Sequence, residues 1–215
     1  MQLRWFGQSC FLLTSQTGTR VLMDPFGKGL GYPVPDVQAD IVTTSHDHSD
    51  HNNIGAVKGN FSHIDTRGSY TLKDISISGT LTCHDKVQGA RRGSNVVFTF
   101  LVDGLRVCHC GDLGHVLTPE QVNGIGKVDV LMVPVGGTFT ISAAEALEVC
   151  HQLNPAITIP MHYRTPALGL MGIMFARVDK FLALASEPAR EMLELSVDQA
   201  SLAENAGVIV MKYKQ

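Results

Sequence analysis

Along the first half of the chain, apolar residues come in short runs broken by turn-forming ones, a pattern of strands rather than helices. Residues 4–6, 10–14 and 21–24 are such runs, with Gly7-Gln8-Ser9 and Thr17-Gly18-Thr19 between them. This rhythm predicts strand, turn, strand. The Gly- and Pro-rich residues 27–35 predict a loop. The β-branched stretch 41–44 predicts a short strand, and 70–73, 75–81, 96–102 and 105–108 continue the series. Asp103-Gly104 between the last two is a hairpin signal.

The second half alternates strand with helix. Thr118-Pro119-Glu120-Gln121 supplies an N-cap, a Pro at the first helical position and a capping-box Gln. A strand is predicted at 130–133. Ser142 and Glu145 form a second capping box that opens a helix to about residue 153, where Asn154-Pro155 ends it. Residues 157–159 predict a strand running into Pro160-Met161-His162, residues 175–185 and 189–195 predict helices, and 207–211 a closing strand. Strands first and strand-helix alternation later predict an α/β fold of two packed sheets with helices outside. The Met-, Leu- and Gly-rich stretch 166–175 is expected to be an apolar pocket lip, a homo-oligomer contact or core, with core or contact favoured over a dedicated lipid site.

The 215 residues suit one domain spanning 1–215, and 44% apolar content allows a substantial core. A net charge of −3 gives no basic footprint for nucleic acid or an anionic membrane. No apolar run reaches membrane-spanning length. The opening Met1-Gln2-Leu3-Arg4-Trp5 lacks a signal-peptide layout, so a cytoplasmic protein is expected. The five Cys are odd in number and sit mostly in apolar runs, which predicts reduced, buried thiols. Cys108-His109-Cys110 lacks the second Cys pair of a metal knuckle.

The chemistry concentrates in His46-Asp47-His48-Ser49-Asp50-His51, which places three of the nine His in six residues. Chance would give this placement roughly once in a thousand chains of this composition. Imidazole and carboxylate are ligands for zinc and similar divalent ions. Period two puts His46 and His48 on one side of an extended turn, with Asp50 and His51 further on where the chain can turn into a helix. That layout serves two adjacent metals, which need about six or seven ligands. His84, Asp112 and His162 each follow an apolar strand and are the candidates to complete the set.

In this order, H-x-H-x-D-H, then His84, Gly111-Asp112 and His162, the chain resembles the metallo-β-lactamase-fold hydrolases. The N-terminal 5–12 segment, Leu22-Met23-Asp24-Pro25, the stretch from His84 through Arg91, Arg92 and Asn95, His109 through His115, Pro134-Val135-Gly136-Gly137-Thr138 and Ile159-Pro160-Met161-His162-Tyr163 extend the resemblance over the whole chain. They are similar to a branch of small stand-alone bacterial and archaeal members, among them ascorbate-6-phosphate lactonases and metal-dependent hydrolases.

The resemblance implies an αββα sandwich of two mixed β-sheets. It implies a dinuclear metal-dependent hydrolase in which His46, His48 and His84 hold one ion, Asp50, His51 and His162 the other, and Asp112 bridges. Zinc is the expected metal, with manganese or iron as alternatives. Metal-activated water then attacks a small phosphoester, lactone or ester, and Asp50 takes its proton. Tyr163, His109 and His115 are candidate proton donors. Asp24 is the expected partner of a ligand imidazole, with His109, Asp47 and Asp85 as further candidates. Lys86, Arg91, Arg92 and Arg164 flank two ligands and suggest an anionic substrate, with Arg91, Arg92, Tyr163, Arg164 and His115 around it. Many relatives carry His where this chain has Gln8, a difference expected to bear on the pocket edge. An RNA or nucleotide phosphodiesterase and a non-catalytic metal sensor are the alternatives; the acidic charge and the full ligand set disfavour them.

Overall fold

The structure is a computed structural model and describes residues 1–186 and 188–213. Its first sheet has six strands. β1 (Gln2–Gly7), β2 (Cys10–Thr14) and β3 (Arg20–Met23) form an antiparallel meander, and β4 (Ile41–Thr43) and β5 (Ser62–Ile64) add to it in parallel. The second sheet begins with antiparallel β6 (Gly68–Leu72), β7 (Ile75–Cys83), β8 (Ser94–Val102) and β9 (Leu105–His109). It continues in parallel through β10 (Val130–Pro134), β11 (Ile157–Met161), β14 (Gly207–Met211) and the edge strand β12 (Arg190–Met192). A short β13 (Glu194–Ser196) completes the first sheet beside β1.

The expected turn chemistry is present. Asp103 and Gly104 join β8 to β9 with φ of 51° and 78°, the positive pair a tight hairpin requires. Thr118 and Ser142 cap α1 (Pro119–Ile125) and α2 (Ala143–Leu153) through complete capping boxes with Gln121 and Glu145. Asn154 ends α2 in the left-handed conformation.

Residues 189–195 depart from the helix expected there. They form β12 and, after the exposed Leu193, β13, so the chain crosses from one sheet edge to the other. Leu195, opposite Leu3, is buried. Backbone pairing offered by two open edges outweighs the helical propensity of Arg-Glu-Met-Leu-Glu-Leu. The helix expected from residue 175 begins at Val178 (α3, Val178–Ala185), because Phe175 and Arg177 are extended.

The main core lies between the sheets. In the first sheet Leu13, Val21 and Ile41 face it, while the alternating Leu12, Leu22 and Val42 face outward. These outward residues are also buried. Phe26 and Tyr32 from the 24–40 loop, with Leu168 and Phe175 from a 3₁₀ segment (Pro166–Met174), cover them. α1 packs on β7 and β8, and α2 on β10 and α3. The strand directions bring the ends of β1, β3, β4, β7, β9 and β11 to one rim of the sandwich.

Candidate metal centre

Each candidate ligand stands just beyond a strand end on that rim. After β4 the chain runs through buried Thr44 and Ser45 into the His motif. A turn then closes where His51 N–H donates to His48 O at 2.9 Å and Asn52 N–H to the same oxygen at 3.1 Å. The chain makes this turn in place of the helix the sequence suggested after His48. His84 follows β7, Asp112 follows β9 and His162 follows β11.

The structure brings all seven expected side chains together. The ligand atoms of His46, His48 and His84 lie within 4.8 Å of one another, as do those of Asp50, His51 and His162. Asp112 sits between the groups. Its Oδ2 is 3.2 Å from His84 Nε2 and 3.2 Å from His162 Nε2, and 3.4 Å from His51 Nε2.

A buried frame holds these groups. Asp24 accepts from Ser45 N–H and Ser45 Oγ–H, both at 2.7 Å, and lies 2.8 Å from His51 Nδ1. Asn95 accepts from Asp112 N–H at 2.9 Å and donates to Cys110 O and Thr82 Oγ1. Gln8 lines the pocket as expected and also contacts the ligands through its amide nitrogen. Its Nε2 is 2.7 Å from His162 Nε2 and 3.4 Å from Asp50 Oδ2. Gln8, Asp24 and His162 all have left-handed φ, between 46° and 53°, so backbone strain of about 1–2 kcal/mol per residue gathers at the rim. Ser45 and Asn95 have no role legible in the sequence and Gln8 only a pocket-edge one; Ser45 lies between Thr44 and His46 and Asn95 beside Ser94, so no local contrast marks them.

Electrostatics follows from burial and this mixture of charges. Burial, then the charge of His51, pushes His46 down to about 3, so it is neutral near pH 7. Burial would lower His51 too, but the Asp112 and Asp24 carboxylates outweigh it and raise His51 well above its ordinary value. Burial works against ionisation of Asp112, yet His162 and His51 hold it well below the usual range. Asp50 is likewise lowered, mainly by His51, against its own burial.

Not every expected residue belongs here. His109 is buried with Nε2 2.8 Å from Ser9 O and Nδ1 accepting from Gly111 N–H. His115 accepts from Cys83 N–H and lies 2.8 Å from Val116 O. Backbone therefore occupies both nitrogens of each ring, which removes the two as substrate or proton-transfer groups. Tyr163 packs in the core against Trp5, and burial raises its phenol. Arg164 is exposed, with its stem beside Gly172, away from the ligands. Asp47 accepts from Asn52 in an exposed turn. Asp85 touches no ligand imidazole. It accepts from Val87, Gly89, Arg91 and Arg92 N–H, each at 2.8 Å, and so shapes the loop that carries both arginines.

Three cavities border the ligands; one of about 440 Å³ touches His46 and His48 from the side of Asp47, Asn52 and Ser94, and the other two reach further into the site. The first of these two, about 510 Å³, reaches from His48 and His84 to Lys86, Arg91 and Arg92. Lys86 is paired there with Glu145 at 2.5 Å, and Arg92 lies over the Phe139 ring at 4.5 Å. The other, about 230 Å³, reaches Gln8, Asp50, Asp112 and His162.

The donor set fits divalent metal. His51 Nε2 is buried without a hydrogen-bond partner, while Asp24 engages the opposite nitrogen. His51 Nε2 faces Asp50 and Asp112, each 3.4 Å away, so a proton or a metal ion must stand between them. All seven donors are nitrogen or oxygen, as zinc, manganese and iron accept. Among the described residues the metal-competent groups contain only His and Asp. Four of the five Cys are buried, and no disulfide joins them.

Comparison with known proteins agrees with this fold and donor set. A family model described as "Beta-lactamase superfamily domain" matches residues 2–162. The chain belongs to the beta-lactamase superfamily, in its UPF0173 branch of metal-dependent hydrolases. A UPF0173 protein of Pyrococcus furiosus is 31% identical over 191 residues, 77% of this chain and 84% of the relative. A UPF0173 metal-dependent hydrolase of Thermoplasma acidophilum is 26% identical over 211 residues, 86% and 91% of the two chains. The crystal structure of a candidate Zn-dependent hydrolase of the metallo-beta-lactamase superfamily from Thermotoga maritima superposes with a TM-score of 0.82 at 42% identity, covering 98% of this chain and 97% of that one.

Proposed function

We propose that this chain is a dinuclear hydrolase acting on a small anionic phosphoester, lactone or ester in the cytoplasm. One observation carries the proposal: Asp112 Oδ2 lies 3.2 Å from an imidazole of each three-residue group, the position of a shared ligand between two ions. His46, His48 and His84 would hold the first ion and Asp50, His51 and His162 the second. Zinc is the leading metal, with manganese or iron as alternatives. Such ions supply Lewis acidity and bring the pKa of a water toward neutrality.

The chain's own residues do the rest. Asp24 and Asn95 hold His51 and Asp112 in place before substrate arrives, which spares reorganisation during reaction. Asp50, ionised and partly open to the 230 Å³ cavity, orients the attacking water and takes its proton. With His109, His115 and Tyr163 turned elsewhere, Asp50 returns that proton to the leaving oxygen. Arg91 and Arg92 at the larger cavity receive the anionic group.

Elemental analysis of purified protein, followed by phosphodiester, phosphomonoester and lactone probes, tests this. About two equivalents of metal and hydrolysis of one probe class are expected. His48→Ala should lose activity and metal together. One equivalent or none, or activity that survives in His48→Ala, overturns the proposal.

A further inference from the structure

The 230 Å³ cavity has two unlike walls. One carries the metal-directed side chains; the other is apolar and consists of Leu30, Leu168, Met171, Met174 and Phe175. The sequence leaves pocket lip, oligomer contact and core open for this stretch, and the structure divides it. Leu168 and Phe175 are buried in the smaller core, while Met171 and Met174 face the cavity at 41% and 48% exposure.

This wall is built in advance. Gly31 approaches so closely that a Cβ there would meet Ala167 O at 1.8 Å, which locks the 24–40 loop to the 3₁₀ segment. Tyr32 Oη lies 2.6 Å from Thr165 Oγ1, and Thr138 Oγ1–H donates to Met174 O. Met side chains on such a frame adapt to varied apolar shapes.

The larger cavity meets this one at His48, His84, Arg92 and Phe139. The ligands therefore stand between a cationic side and an apolar side. Resting on the hydrolase assignment above, we propose that Leu30, Leu168, Met171, Met174 and Phe175 form a subsite for an aliphatic or aryl substituent of the substrate. The substrate is then amphiphilic. Its anionic part faces Arg91 and Arg92, its apolar part faces the methionines, and the bond to be cleaved lies between them. A compound without an apolar group would leave that wall wet, and one without an anionic group would leave the arginines unanswered.

Calorimetric titration of the zinc-loaded protein with n-alkylphosphonates, methyl to octyl, reads the subsite without catalysis. Affinity should rise up to about fourfold per methylene and level off once the cavity is filled. Met171→Ser/Met174→Ser should flatten that rise, and Leu170→Ser, 86% exposed and outside the cavity, should leave it intact. Metal-dependent methylphosphonate binding with no chain-length gain overturns the subsite and spares the metal centre. A gain that survives the double substitution, or vanishes equally in Leu170→Ser, overturns it as well. Failure of every phosphonate to bind, with or without zinc, overturns the anionic-substrate reading and the subsite together.

Discussion

Asp24 follows β3 with a φ of 46° and commits its carboxylate to Ser45 and His51. Removing it as Asp24→Ala frees the His51 ring and leaves buried donors unanswered. Metal affinity should fall about 10–100-fold, read by competition with a chelator. His51 adds a pH dependence with a definite sign. The carboxylates around it raise its pKa, so in the metal-free protein it holds a proton near pH 7 that an incoming ion must displace. Metal binding should therefore release protons, and apparent affinity should increase as pH rises. Calorimetry in buffers of different ionisation enthalpy measures the release; no proton released contradicts it. The seven donors were legible in the sequence because their chemistry is written in residue type and spacing. Gln8, Ser45 and Asn95 were not, since an amide or hydroxyl gains its role only from the strand end that the fold sets beside it. The same limit explains His109 and His115: their residue type suggested chemistry, and backbone groups brought close by folding took both ring nitrogens.

Local signals governed elements wherever the chain decides its own conformation. The Asp103-Gly104 hairpin and both capping boxes are contacts within a few residues, and sequence is sufficient for those. Ser142→Ala should cost about 1 kcal/mol, measured by urea unfolding, without disturbing metal content. β5, β12 and β13 are three residues each, too short for a period to register, and they exist because an edge was waiting for them. Gly31 shows the same dependence on distant chain. Its φ is 88° and Ala167 O occupies the space of a Cβ, so Gly31→Ala should destabilise by more than about 1–2 kcal/mol. Thermal unfolding checks this, and an unchanged midpoint would show that the loop yields freely.

Across the whole molecule, the donors come from both sheets: His46, His48, Asp50 and His51 from the first, His84, Asp112 and His162 from the second. Bound ions would thus join the two layers at one rim. At a hundredfold excess over the dissociation constant this is worth about 2.7 kcal/mol, so chelation should lower the melting temperature by about 5–10 °C and re-addition should restore it. Hydrogen exchange should quicken at 44–51, 110–114 and 162–165 while the strands between the sheets keep their protection. The two-layer plan was readable from the switch between strand runs and strand-helix alternation. The loop cover over the first sheet was not, because β2 and β3 are apolar on both faces and do not declare what lies outside them.

The methionine wall is one contiguous stretch of chain, whereas the metal-directed side chains are scattered over four separate strand ends. A short insertion, deletion or swap within 166–174 could thus change which molecules enter while every group that performs the chemistry stays in register. In a lineage, such a chain can diversify its diet by local edits and inherit its reactivity unchanged.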